Sequence, residues 1–475
     1  MKKTIIALAL CLICASAAQA KITLPRIMAS DMVLQQQSEV NIWGKTDKNR
    51  TVKVTTSWNG KTYRVQPDAD GNWMAKVSTP AAGGPYEVSI SDGEEVKLTN
   101  ILIGEVWFCC GQSNMEMPMG GFDRQPLVGT NNIIAKAKPS TPIRVFDMDN
   151  KWMHQYSKTP QEDCIGEWWT NTPEHVAATS AAAYYFAMYI QEVLDVPVGL
   201  IVSTWGGSRI EAWMSRECIE PFGKNLSILT NDKEVRNPTA TPCVLYNAKI
   251  NPLLNYNIKG MLWYQGESNR DNAAEYESLM PAFVSDLRAR WNVGEFPVYF
   301  VEIAPYDYEG PDGTSAARFR EAQSRNLRDI PNCGMATTVD AGVHNFIHPV
   351  NKEVVGERLA LLALAKTYGK TGFGYAAPLY KSMEVIDGKV YLNFENAERG
   401  LCPMWTSLKG FEIAGEDKVF HPAFAEIETK SCRLAVSSKE VPNPVAVRYA
   451  YHNYPEISVY AINGLPVIPF RTDNW

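Results

Sequence analysis

Gly111-Gln112-Ser113-Asn114-Met115 closes an apolar, β-branched run that begins at Ile101. A hydroxyl placed where a buried strand ends, between a glycine and two amides, is how an α/β enzyme presents a nucleophile. Serine at its ordinary pKa attacks poorly and needs a base within hydrogen-bond reach. Beyond residue 20 the histidines are His154, His175, His344, His348, His421 and His452. Only His344 and His348 fall in a loop that follows a predicted sheet strand, and His348 stands just ahead of the closing helix. The two are spaced like a metal pair on a helix, but HNFIH lacks the glutamate of that pattern and reads as loop, so neither metal nor cofactor is expected. Acyl transfer also requires donors for a developing oxyanion. The Ser113 N–H, the Gly206-Gly207 turn and the Gln265 side-chain amide are the candidates.

These residues become one site only if the chain brings their loops together. From Ile101 the pattern alternates strand and helix. Helices are predicted over Ser180–Leu194, Tyr276–Trp291, Ala316–Arg328 and Asn351–Tyr368. Strands are predicted over Val196–Thr204, Ile258–Tyr264, Phe296–Ile303 and Gly334–Val339, and the stretch after Ser113 to about Pro173 reads as irregular. Such alternation predicts a largely parallel sheet with helices on both faces. Ligands of these sheets sit at the carboxyl ends of the strands. That rim then collects Ser113, Gly206-Gly207, Gln265-Gly266-Glu267 and the Asp340–His348 loop.

The flanks read as β structure. Residues 21–100 alternate in the strand manner, with Asn59-Gly60, Asp70-Gly71 and Asp92-Gly93 as hairpin turns. Residues 371–475 are β-rich again. The expected organisation is a signal peptide at 1–20, a β-sandwich-like domain at 21–100, a catalytic domain at 101–370 and a C-terminal β-rich domain at 371–475. Lys2 and Lys3, an apolar core and Ala18-Gln19-Ala20 make the leader, which predicts export to the periplasm or beyond. No later stretch is apolar enough to span a membrane. Without the leader, 44 Lys+Arg face 52 Asp+Glu, a net charge near −8 with no basic cluster, so neither nucleic acid nor an anionic membrane is an expected partner. Eight cysteines remain beyond the leader, irregularly spaced and with no C-x-x-C. Cys402 and Cys432 could pair within the C-terminal region.

GQSNM (111–115), GGSRIEAW (206–213), WYQGESN (263–269) and IHPVNKEVVGERLA (347–360) resemble, in order, the blocks of sialate O-acetylesterase-type carbohydrate esterases of the SGNH hydrolase superfamily. Met32-Val-Leu-Gln35, Leu245-Tyr246-Asn247 and the tail Leu465–Asp473 extend the likeness over nearly all of the chain beyond the leader. The resemblance implies a flavodoxin-like α/β core that hydrolyses O-acetyl esters of sugars. It implies Ser113 as nucleophile, His348 as general base and then acid, and Gly207 with Gln265 in the oxyanion hole. Acetylated sialic acid is the first expected substrate, with Arg209, Arg270 or Arg318 available to its carboxylate. Acetylated xylan, xyloglucan or pectin is the alternative, and a glycan-binding protein with a retired core is a third reading. Many SGNH enzymes carry Asp three residues before the histidine, where this chain has Asn345. The group that orients His348 is then a backbone carbonyl in a Ser–His dyad, the favoured expectation, or Asp340 from elsewhere, or it is missing and the enzyme weakened.

Overall fold

The computed structural model describes residues 22–47, 50–148, 156–403, 407–428 and 433–475. The expected leader lies outside them, as does the Cys432 end of a Cys402–Cys432 pair.

One strand organises the molecule. Glu95–Gly111 runs for 17 residues, and everything from Ile101 onward in it is buried. Its first half pairs antiparallel with Gly83–Ser91 of the N-terminal β region. Its second half lies between Val198–Thr204 and Gly260–Tyr264, parallel to both. The N-terminal strands and the catalytic sheet therefore share one strand. Across the catalytic sheet the order is Cys333–Ala336, Val298–Val301, Gly260–Tyr264, Glu95–Gly111, Val198–Thr204, Ile143–Asp147 and Glu167–Trp169. All of these pairings are parallel except that of the last strand. The sheet is thus mixed, and the fold is α/β with additional β-rich regions.

Ile143–Asp147 and Glu167–Trp169 lie inside the stretch that reads as irregular. Both are short, and aromatic and proline residues around them mask the alternation. The predicted helices are present as Ala181–Leu194, Ala273–Trp291, Ser315–Asp329 and Glu353–Lys366. Ser180 caps the first, its hydroxyl accepting the Ala183 N–H at 3.2 Å.

Period-two alternation sends Phe108 and Cys110 to one face of the sheet and Trp107 and Cys109 to the other. The first face packs on Tyr276, Met280, Phe283 and Leu287 of one helix. The second packs on Ala183, Phe186 and Ile190 and on Leu359 and Ala363 of two others. Those two helices touch because position 356 is glycine: a Cβ there would lie 2.4 Å from Tyr185 Cβ. Full burial of each large apolar side chain contributes roughly 1.5–3 kcal/mol, so this double-sided core holds the strand ends, and the rim they form, in place. Residues beyond 378 form two four-stranded antiparallel sheets around a separate core that includes Leu392, Ile413, Val436 and Val447.

Candidate active site

Ser113 opens a single helical turn, Ser113–Glu116, straight off the buried strand. Gly111 makes the exit possible. Its φ is +148°, and a Cβ there would fall 2.1 Å from the Tyr264 carbonyl oxygen of the neighbouring strand. The first N–H groups of a helix have no carbonyl one turn behind them, so the Ser113 N–H has no acceptor within its own turn.

The base arrives from the opposite end of the domain. His348 Nε2 lies 2.8 Å from Ser113 Oγ. Its Nδ1 lies 2.5 Å from Gln125 Oε1. An amide oxygen only accepts, so it fixes the proton on Nδ1 and leaves Nε2 with a lone pair aimed at the serine hydroxyl. Phe122 closes on the imidazole edge-on, with ring centroids 5.4 Å apart. Phe122 and Gln125 belong to one tight loop, closed by reciprocal backbone bonds of 3.1 and 2.9 Å. Gly121 permits that turn, since its φ is +81° and a Cβ would approach the Gln125 carbonyl to 2.8 Å. The loop is tied to the histidine segment where Val128 N–H donates to Val350 O at 2.9 Å.

The orienting group therefore differs from both candidates. Asn345 is exposed on the loop. Asp340 accepts a bidentate pair from Arg358, at 2.7 and 2.8 Å, and so closes the strand end onto the helix that follows His348. The favoured backbone carbonyl is also replaced: a side-chain amide from residue 125 does the work. His344 sits four residues from His348 but turns away, 3.2 Å from Asp307 and edge-on to Tyr454.

Burial, and after it the charge of Lys352, push the His348 pKa down to about 4. The imidazole is thus neutral, and a competent acceptor, through the whole neutral range. Lys352 is itself fully buried. It donates to Asn114 Oδ1 and lies 5.3 Å over the Tyr264 ring. Burial lowers its pKa to about 7, with Glu267 acting the other way. Asn114, beside the nucleophile, spends its two N–H groups on Glu267 Oε1 at 2.5 Å and Ile347 O at 3.2 Å. Asn114 thereby joins the serine turn, the Gln265–Asn269 loop and the histidine loop. Nothing in the local sequence marks Gln125 or Lys352, which read as a surface glutamine and a helix-start lysine.

The oxyanion candidates separate. A Cβ added to Gly206 would lie 3.5 Å from Ser113 Cβ, so this turn passes directly over the nucleophile. Gly207 follows it in the left-handed region, φ +71°, exposed and with open space around it. Gln265 is fully buried and its amide is committed elsewhere. Its two N–H groups face Asn269 Oδ1 at 2.8 Å, Ser208 O at 3.0 Å and Gln112 Oε1 at 3.2 Å. Gln265 is thus a brace between the two loops and has no hydrogen left for substrate. Glu116, the last residue of the nucleophile turn, meets the Gly206 N–H, and burial raises its pKa.

A serine hydroxyl in line with a neutral imidazole, under a glycine turn, is an arrangement suited to acyl transfer. Residues 103–363 match the model of a family described as carbohydrate esterase, sialic acid-specific acetylesterase. The chain belongs to that family. It is accordingly a carboxylic ester hydrolase and a carbohydrate acetylesterase. Its relatives include the sialate O-acetylesterases of Homo sapiens and Pongo abelii, each 28% identical over 94% of this chain and 92% of theirs. Among solved structures, a carbohydrate acetylesterase from Xanthomonas citri superposes with a TM-score of 0.86. It is 34% identical and covers 96% of this chain and all of its own.

Proposed function

We propose that this chain is an exported serine esterase that removes O-acetyl groups from carbohydrates, with acetylated sialic acids as its first substrates. The observation that carries the reading is the Ser113–His348–Gln125 line, at 2.8 and 2.5 Å. Ser113 Oγ attacks the acetyl carbonyl while His348 Nε2 takes its proton. The N–H groups of Ser113 and Gly207 receive the oxyanion. The imidazolium then protonates the departing sugar oxygen, leaving acetyl-Ser113. Water, deprotonated by His348, hydrolyses that ester and releases acetate. Gln125 accepts from Nδ1 throughout and keeps the ring in register.

The family and its mammalian relatives support the sialate reading. The second reading is acetylated plant polysaccharide: the Xanthomonas citri relative is described as a carbohydrate acetylesterase with no sugar named, so its likeness favours neither substrate class. Rapid mixing with 4-nitrophenyl acetate tests the mechanism. A burst of 4-nitrophenol matching the enzyme concentration, absent from Ser113→Ala, is expected. Turnover retained in Ser113→Ala would overturn it. Acetate release from 9-O-acetyl sialic acid against acetylated xylo-oligosaccharides separates the two substrate classes.

A further inference from the structure

The glycine turn that crosses the nucleophile is pinned at its ends and nearly bare in its middle. Trp205 N–H donates to Gly111 O at 3.0 Å, which ties the entry to the strand that delivers Ser113. Ser208 Oγ donates to Trp205 O at 2.7 Å and accepts the Trp213 indole N–H at 2.8 Å, which ties the exit. Gly206 and Gly207 lie between these anchors. No backbone carbonyl among the described residues accepts from either N–H. Glycine also loses more conformational freedom on ordering than any other residue. A donor for an oxyanion has to be fixed before the charge forms, so a loose turn here would weaken catalysis.

One side chain reaches that middle. Glu116 ends the helical turn that Ser113 begins, and its own N–H is held by Gln112 O at 2.9 Å. The Gly206 N–H faces its carboxylate. A Cβ added to Gly206 would lie 3.2 Å from Glu116 Oε2 and 3.5 Å from Ser113 Cβ, so the turn is wedged between carboxylate and nucleophile. Glu116 Oε2 is buried and has no other donor aligned on it among the described residues, which leaves its accepting capacity to the turn.

A carboxylate beside a forming oxyanion carries an electrostatic cost, and a cation offsets it. Lys249 is buried, and its charge faces Asp147 and Glu116. Its segment, Tyr246–Ile250, is tied to the strand that leads into the glycine turn, where Ser203 Oγ donates to Lys249 O at 3.0 Å. Burial raises the Glu116 pKa, and the Gly206 N–H and the Lys249 charge act against that rise.

We infer that Glu116 is a positioning residue for the reaction: its carboxylate holds Gly206 and so fixes the Gly206-Gly207 turn over Ser113, where the oxyanion forms. The reach of the acceptor does this, and its charge does not. The inference rests on the esterase reading and adds to it a residue that neither touches substrate nor carries a proton.

The test compares wild type with Glu116→Gln, Glu116→Asp and Glu116→Ala. Glutamine keeps the reach and an acceptor oxygen but drops the charge. Aspartate keeps the charge and withdraws the acceptor by one methylene. Each form is assayed on 4-nitrophenyl acetate and on its thionoester, whose larger sulfur fits an oxyanion site poorly. Acylation and deacylation both pass through an oxyanion, so whichever limits turnover reports on the turn. In Glu116→Asp and Glu116→Ala kcat should fall by at least about tenfold with KM little changed, short of the ~10²–10³-fold that removal of an oxyanion donor costs. Glu116→Gln should recover to within about fivefold of wild type, the margin between a charged and a neutral acceptor. The preference for oxygen over sulfur should shrink in the first two and be kept in the third; a merely structural role would lower the melting temperature without moving it. Wild-type kcat in Glu116→Asp and Glu116→Ala, a Glu116→Gln as impaired as Glu116→Ala, or an unmoved oxygen-over-sulfur preference overturns the proposal. If Glu116→Ala does not fold, the contrast between Asp and Gln decides. A wild type without a 4-nitrophenol burst sinks the esterase reading too, whereas a wild-type burst with unaltered variants sinks only this inference.

Discussion

Replacing Gln125 with glutamate converts a neutral orienting group into a charged one at the same place. The acceptor already stands 2.5 Å from His348 Nδ1, and Glu keeps the chain length. A hydrogen bond to a charged partner contributes about 1.5–3 kcal/mol, against about 0.5–1.5 for a neutral one. The difference, about 1–1.5 kcal/mol, corresponds to roughly one pH unit in favour of the imidazolium. Coulomb attraction over about 4 Å at an effective dielectric near 20 is ~4 kcal/mol and sets an upper bound near three pH units. His348 titrates at about 4. The sign is upward: a carboxylate favours the protonated ring, so the base becomes protonated at higher pH. The acid limb of kcat/KM in Gln125→Glu should therefore rise from about pH 4 by one to three pH units, while activity on the plateau is kept or raised. Gln125→Ala removes the acceptor, frees the ring and its tautomer, and should lower kcat by ~10–100-fold, less than the ~10²–10⁴-fold that loss of the general base itself would take, because the imidazole stays in place. The assay is the pH dependence of 4-nitrophenyl acetate hydrolysis from pH 3.5 to 8. A limb that stays put or moves down in Gln125→Glu, or near-normal kcat in Gln125→Ala, refutes the assignment.

Three further outcomes follow from the same geometry. Lys352→Met removes the cation that disfavours the imidazolium, so the acid limb should move up in pH by less than in Gln125→Glu; an unmoved limb in a folded variant removes Lys352 from the electrostatics of the site. Asp340→Ala breaks a two-bonded pair with Arg358 and leaves His348 untouched, so the melting temperature should fall while kcat and the acid limb stay near wild type. Should the acid limb of Asp340→Ala move instead, Asp340 orients the base after all. Gly207→Ala forces a Cβ into the left-handed region at a cost of about 1–2 kcal/mol and displaces the turn. Its kcat on 4-nitrophenyl acetate should fall by at least tenfold with little change in KM, and an unchanged kcat would place the oxyanion elsewhere.

Strand exits were legible because their chemistry is local. A buried apolar run that ends in glycine and polar residues announces itself in any window, and Ser113, Gly206-Gly207 and Gln265 each follow one. His348 was legible for the same reason, as a polar residue between the last strand and the closing helix. The orienting group was not. It stands 223 positions from His348, in a loop without periodicity, and a glutamine there has no feature that separates it from solvent-facing glutamines. The spacing from histidine to position 345 pointed at a residue that the loop leaves exposed. Gln265 shows the converse failure. It stands just past a buried strand, but amides satisfy neighbours as readily as substrates, and only three dimensions show that its hydrogens are already used.

A common physical theme links these residues. Gln112, Asn114, Gln125, Gln265 and Asn269 stitch the catalytic loops together through neutral amides, and Glu267 with Lys352 supplies charges of both signs behind them. Neutral dipoles hold geometry without favouring an imidazolium in the resting enzyme. With the Lys352 charge nearby, His348 stays an unprotonated base down to about pH 4. Full charge then appears on the ring only when Ser113 gives up its proton, at the moment an oxyanion of opposite sign forms across the same hydroxyl. A carboxylate at position 125 would stabilise that ion pair more strongly, but it would also hold a proton on the resting ring at mildly acid pH. The amide therefore trades strength of transition-state stabilisation for readiness of the base over a wider pH range.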